Sequence, residues 1–216
     1  MTADRRPYKR ESEETRRDAM ISAALDLVAE GGPQAATVRA IADRAGVTPG
    51  LIRHYFATKD DLTRAAYLRL MDRMTGDNAE ALQDTPEDPG ARLVAFVTAS
   101  LRPPVVDPLR LGVWAGFIHA VRSDDAMRAI HKQSYLAYRD MLQSLIAALP
   151  RKADDARLRA DAIACNAVID GLWLEGSALP EGFAPGELER IGVSAVAAIL
   201  GMPLTDTPPT PSGDQT

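Results

Sequence analysis

The stretch that most constrains this chain is residues 37–56. Val38, Ile41, Ala42 and Ala45 recur at helical spacing and make one apolar stripe. Gly46 follows, a residue whose missing Cβ lets it adopt the left-handed conformation that ends a helix. Thr48 can cap a new helix and Pro49 suits its first position. Leu51, Ile52, Tyr55 and Phe56 continue it, with Ile52 and Phe56 one turn apart. Two short helices joined by a glycine turn make a helix-turn-helix. That unit lays its second helix in a DNA major groove, though it also occurs as plain scaffold.

The residues that follow decide between those readings. From Thr37 onward, Ile41, Ala42, Ala45, Gly46, Val47, Gly50, Tyr55, Phe56, Lys59 and Leu62 fall in the pattern T-x-x-x-I-A-x-x-A-G-V-x-x-G-x-x-Y-x-Y-F-x-x-K-x-x-L. The stretch from about residue 15 to 65 therefore resembles the TetR-type transcriptional repressors. One position departs from the pattern: the aromatic expected two residues before Tyr55 is Arg53.

Composition fits a helical protein with such a head. Of 216 residues, 46% are hydrophobic and 25% charged, enough to fill a core and ordinary for a soluble chain. The net charge of -5 is unevenly spread. Residues 1–75 hold 13 Lys+Arg against 11 Asp+Glu, and the remainder 12 against 19, so a mildly basic head precedes an acidic body. The single Cys165 rules out an internal disulfide and fits a reducing cytoplasm. No apolar run reaches spanning length, so no membrane is expected. No metal-ligand spacing, phosphate loop or nucleophile motif appears, so neither a cofactor nor an enzymatic activity is expected.

The fold expected is all-α with nine helices. Residues 1–11, with Arg5, Arg6, Lys9 and Arg10, read either as a solvated tail or as a basic arm that reaches DNA. A three-helix head spans residues 12–58, its first helix covering 13–30. A body spans 59–202, beginning with a long helix over 59–82 that Thr58 caps. Further helices are expected over 91–101, 108–122, 124–149, 154–179 and 185–200. The last two are apolar on nearly every side, which suggests either a homodimer interface or a wholly internal pair. Residues 203–216 are rich in Pro and Thr and read as a disordered tail.

The resemblance implies roles for particular residues. A dimer would set two recognition helices about 34–36 Å apart, on the half-sites of a palindromic double-stranded operator. Thr37 and Thr48 sit at the starts of the two helices, and Thr48 would touch phosphate. Pro49, Gly50 and Leu51 would approach base edges. Arg53 and His54 would project from the exposed face, where Arg53 can donate two hydrogen bonds to a guanine. Tyr55 and Lys59 would clamp phosphates, unless Tyr55 simply packs. Arg39 is a further candidate, whereas Arg44 reads as a surface charge or ion-pair partner.

The body resembles the C-terminal domain of BetI-type regulators of choline-to-betaine metabolism. The resemblance rests on residues 169–176, on Trp114 and on the pair Tyr135 and Tyr138. It implies a small-molecule effector held by Trp114, Phe117, His119, Tyr135, Tyr138, Asp170 and Trp173. An aromatic cluster near Asp170 or Glu175 would suit a quaternary ammonium. Aromatic stripes are also ordinary core. Two rival readings stay open: a helical partner-binding or small-molecule-binding protein with no operator, and a helical enzyme.

Overall fold

Side-chain caps set most of the helix boundaries. In the computed structural model, which describes residues 13–204, α1 (Glu13–Gly31) is followed by α2 (Val38–Ala45) and α3 (Pro49–Tyr55). Thr37 accepts a hydrogen bond from the Ala40 amide at 3.1 Å, and Thr48 accepts one from Leu51 at 3.2 Å. Gly46 between them sits at φ 66°, as the turn requires. The next helix, α4 (Lys59–Ala81), opens on a reciprocal cap. The Asp61 amide donates to Thr58 Oγ1 at 3.1 Å and the Thr58 amide donates back to Asp61 Oδ2 at 3.0 Å.

Five further helices complete the described residues: α5 (Pro89–Ser100), α6 (Pro108–Ile118), α7 (Asp125–Ala147), α8 (Asp155–Ala178) and α9 (Glu187–Leu200). Asp88, Asp107, Asp124 and Asp154 cap α5 to α8 in turn. Several boundaries shift by one or two residues from the sequence reading, and the end of α6 by more. The helix expected to run to residue 122 ends at Ile118 and passes into a short 3-10 turn, Ala120–Arg122. The last helix starts at Glu187 because Gly186 before it takes a left-handed φ of 73°. The expected basic arm, and the expected tail beyond Leu204, lie outside the described residues.

The chain packs as two units, one ending at Tyr67 and the other beginning at Leu68. In the first, Met20, Ile21, Ala24 and Val28 of α1 are buried together with Ile41, Ala42, Ile52 and Phe56. Leu62, Ala66 and Tyr67 from the start of α4 complete that core, and burial pushes the Tyr67 phenol up to about 12. Arg17 lies over the Phe56 ring at 5.3 Å. In the second unit, Leu93, Phe96 and Val97 of α5 share a core with Leu142 and Ile146 of α7, Cys165 and Ile169 of α8, and Val196 of α9. Burial pushes the Cys165 thiol up to about 11, which makes it an inert packed group.

Two glycines let the helices of that core approach closely. A Cβ on Gly176 would collide with Leu188, and one on Gly192 with Leu101, itself almost wholly buried. Gly192→Val should therefore overpack the α5–α9 contact and destabilise the fold by about 1–3 kcal/mol. For a chain of this size each kcal/mol lowers Tm by about 2–4 °C. Thermal unfolding followed by circular dichroism reads this directly, and an unchanged Tm would mean that the close approach is not needed.

Candidate DNA-binding face and effector cavity

The residues singled out on the head share its solvent side. Ile52 turns α3 inward as its buried anchor. Thr48, Pro49, Gly50, Arg53 and His54 are exposed, and Leu51 and Tyr55 are half-buried at the margin. A Cβ on Gly50 would meet only the Thr48 hydroxyl, at an ordinary 3.9 Å, so glycine is not required there by the packing of the head. His54 meets Tyr55 edge-on, with ring centroids 5.5 Å apart. Thr37, Arg39 and Lys59 are likewise exposed. Arg44 is instead committed to Glu30 by a paired contact of 2.7 and 2.9 Å, the ion-pair reading of that residue. Among the described residues, Arg39, Arg53 and Lys59 are in no such pair.

In the second unit a cavity of about 460 Å³ opens among α4, α5, α6, α7 and α8. That size falls within the roughly 300–1,000 Å³ of small-molecule sites. Trp114 and Trp173 meet edge-to-face on its wall, with centroids 5.7 Å apart, and the Trp173 indole N–H donates to the Val105 carbonyl at 3.0 Å. His131 stacks on Tyr135, with centroids 5.8 Å and planes 21° apart. Tyr138 lies against Phe96 and shares a 2.8 Å hydrogen bond with Ser100, which also donates toward Asn78 Oδ1 and the Phe96 carbonyl.

The charged element of the wall is Asp170. Its Oδ2 accepts from the Tyr135 hydroxyl at 2.8 Å and from Asn166 Nδ2 at 2.8 Å, and Asn166 Nδ2 also reaches the Tyr135 oxygen at 2.6 Å. Both bonds go to Oδ2, so Oδ1 keeps its lone pairs. Burial raises the Asp170 pKa, against the lowering effect of Tyr135 and Asn166. Burial also lowers the His131 pKa, against the pull of Asp170, so this ring is neutral at pH 7. The same desolvation, helped by Asp170, pushes Tyr135 up to about 12. Among the described residues, no Lys or Arg lines the cavity, and Asp170 is the one carboxyl group set among its aromatic side chains.

Five of the seven residues expected at an effector site come together on this wall: Trp114, Tyr135, Tyr138, Asp170 and Trp173. Two do not. Phe117 is buried off the cavity, and His119 caps the end of α6 on the exposed surface. His119 stands five residues after Trp114, about 140° around a helix, so the two side chains leave α6 on different sides. The sequence reading missed Met71, Met74, Thr75 and Asn78 on α4, Ser100 on α5 and His131 on α7. Only His131 carried a signal, one turn before Tyr135 on the same helix face.

Known proteins agree with this layout. Residues 20–66 match the family of bacterial regulatory proteins of the tetR type, and residues 89–201 match the C-terminal domain of BetI-type transcriptional repressors. The HTH-type transcriptional regulator BetI of Rhizobium meliloti (strain 1021) is 33% identical over 166 residues, which span 76% of this chain and 79% of that protein. A transcriptional regulator of Pseudomonas aeruginosa PAO1, known from its crystal structure, superposes with a TM-score of 0.81 at 34% identity, over 89% of this chain and 93% of the other. A regulator from Saccharomonospora viridis, crystallised in complex with choline, shares the fold at 19% identity and a TM-score of 0.67, over 85% of this chain and 94% of the other. Head and body are thus each matched by a family model, and the chain belongs to the TetR family of DNA-binding transcriptional regulators.

Proposed function

We propose that this regulator is a repressor that binds a palindromic operator as a homodimer and is released by an organic cation of the quaternary ammonium class. On the DNA side, α3 reads the major groove. Arg53 and His54 face base edges, Pro49, Gly50 and Leu51 allow close approach at the helix start, and Thr48, Tyr55 and Lys59 hold phosphate. Thr37 and Arg39 flank this surface on α2. Supporting the reading is the exposure of Arg39, Arg53 and Lys59 without an internal ion pair.

The dimer forms through α8 and α9. Along α8, Ala160, Ile163, Ala164, Ala167 and Ala178 are exposed in the single chain, and every one is apolar. Ile163 is 42% exposed, an arrangement water disfavours unless a second copy covers it.

The observation that carries the effector reading is the lone carboxylate of Asp170 on an aromatic wall with no opposing Lys or Arg. A soft cation gains there from the Asp170 charge and from the faces of Trp114, Trp173, Tyr135 and Tyr138. An anion would be repelled. Choline, found in the related regulator of Saccharomonospora viridis, is the first compound to test. Occupation of the cavity presses on α4, whose Met71, Met74, Thr75 and Asn78 line it, and so disfavours the operator-bound state.

Arg53→Ala should weaken operator binding by about 1–3 kcal/mol and relax the preference at one base position. Selection from random duplexes followed by sequencing supplies the operator, and fluorescence anisotropy at fixed salt measures the loss. An unaltered affinity and base preference would remove Arg53 from the reading surface.

Choline affinity should fall as the pH drops from neutral into the mildly acidic range. Asp170, faced by Tyr135, Asn166 and His131, then gains a proton through its raised pKa. His131 gains its positive charge below its own ordinary range, in the same direction. Asp170→Asn should cost about tenfold or more in affinity at pH 7 and flatten that profile. Calorimetric titration across the pH series checks both. Equal affinity of the two proteins for choline would exclude Asp170 as the counter-charge.

A further inference from the structure

The cavity is larger than its charged end requires. Asp170, Tyr135 and His131 lie on α7 and α8, and the polar groups of Asn78, Ser100 and Tyr138 are satisfied among themselves. What remains of the 460 Å³ is bounded by Met71 and Met74 of α4 and by Val105 and Leu174. Methionine side chains suit a ligand surface that must adapt to chains of varied shape. A second opening of about 310 Å³ between α4 and α7 shares Thr75 and Ser134 with the first. The Thr75 hydroxyl is spent on the Met71 carbonyl at 3.0 Å, so its methyl is what it offers a ligand. Past Thr75 the groove runs over Gly76, Ala79 and Ala137, and a Cβ placed on Gly76 would meet nothing within 4 Å. Small residues on both helices line this groove, while Asp72 and Gln133 beside them are exposed to water.

Building on the cation reading above, we propose that the effector is an amphipathic cation: a charged head at Asp170 and an apolar tail that runs along Met71 and Met74 toward the groove at Gly76. The effector class is then an alkyl-bearing quaternary or tertiary amine rather than a compact headgroup alone. Choline fills the head end and leaves the rest of the space to water.

The test is calorimetric titration of the full chain with tetramethylammonium, choline, butyltrimethylammonium and octyltrimethylammonium, each below its aggregation concentration. Affinity should rise by about fourfold per methylene, the equivalent of ~0.8 kcal/mol, over the first several carbons. Gly76→Leu places a side chain in the groove at an open position, and it replaces a poor helix former by a good one, so the fold is retained. This variant should keep the affinity for tetramethylammonium and lose most of the octyl advantage. Octyl sulfate, with the same tail and the opposite charge, should not bind. A series in which choline binds as tightly as the octyl compound overturns the amphipathic assignment while leaving the cation site intact. An octyl advantage that survives unchanged in Gly76→Leu overturns the path through the groove. If no member of the series binds, the cation reading itself fails and this inference falls with it.

Discussion

One helix belongs to both functional regions. The reciprocal cap between Thr58 and Asp61 starts α4 at Lys59, and no break interrupts it before Ala81. Its first turns supply Leu62, Ala66 and Tyr67 to the core of the head, each almost wholly buried. Its later turns supply Met71, Met74, Thr75 and Asn78 to the wall of the cavity. α4 thus supplies side chains both to the core of the head and to the wall of the cavity, and the proposed coupling would run along it.

The cavity supplies the other half of the account, a charge held where charge is costly. Taking a carboxylate out of water raises its pKa, and the two hydrogen bonds from Tyr135 and Asn166 offset only part of that cost. A cation that enters replaces the lost hydration and is itself sheltered by aromatic faces. In the proposed reading, that gain is the binding energy with which an effector shifts the equilibrium.

How much of this was legible in the sequence follows the range of the interactions. The head is specified by contacts three and four residues apart: Thr37 and Thr48 as caps, Gly46 as the left-handed turn, Ile41 and Ile52 as inward anchors. Such signals survive in a single sequence, and α2 and α3 lie where they place them. The cavity is specified by residues up to about a hundred positions apart, and helical periodicity reports burial without saying which buried face borders a void. Phe117 illustrates the gap: its spacing from Trp114 is helical and it is buried, yet its ring packs away from the cavity. Met71 and Met74 illustrate the converse, since nothing in an ordinary amphipathic helix marks two methionines as a ligand surface. Asp170 came into view only through the resemblance of residues 169–176, not through periodicity.

The central claim is that a cation at Asp170 and an operator on α3 compete through one chain. Linkage makes the effect reciprocal: the factor by which the cation weakens operator binding must equal the factor by which operator weakens cation binding. The most direct measurement is the cation's Kd by calorimetry on the dimer alone and on the dimer saturated with its selected operator, at the same salt and pH. The account predicts weaker binding to the operator complex, by about 5–150-fold for a coupling of ordinary size. Identical dissociation constants in the two states would contradict it.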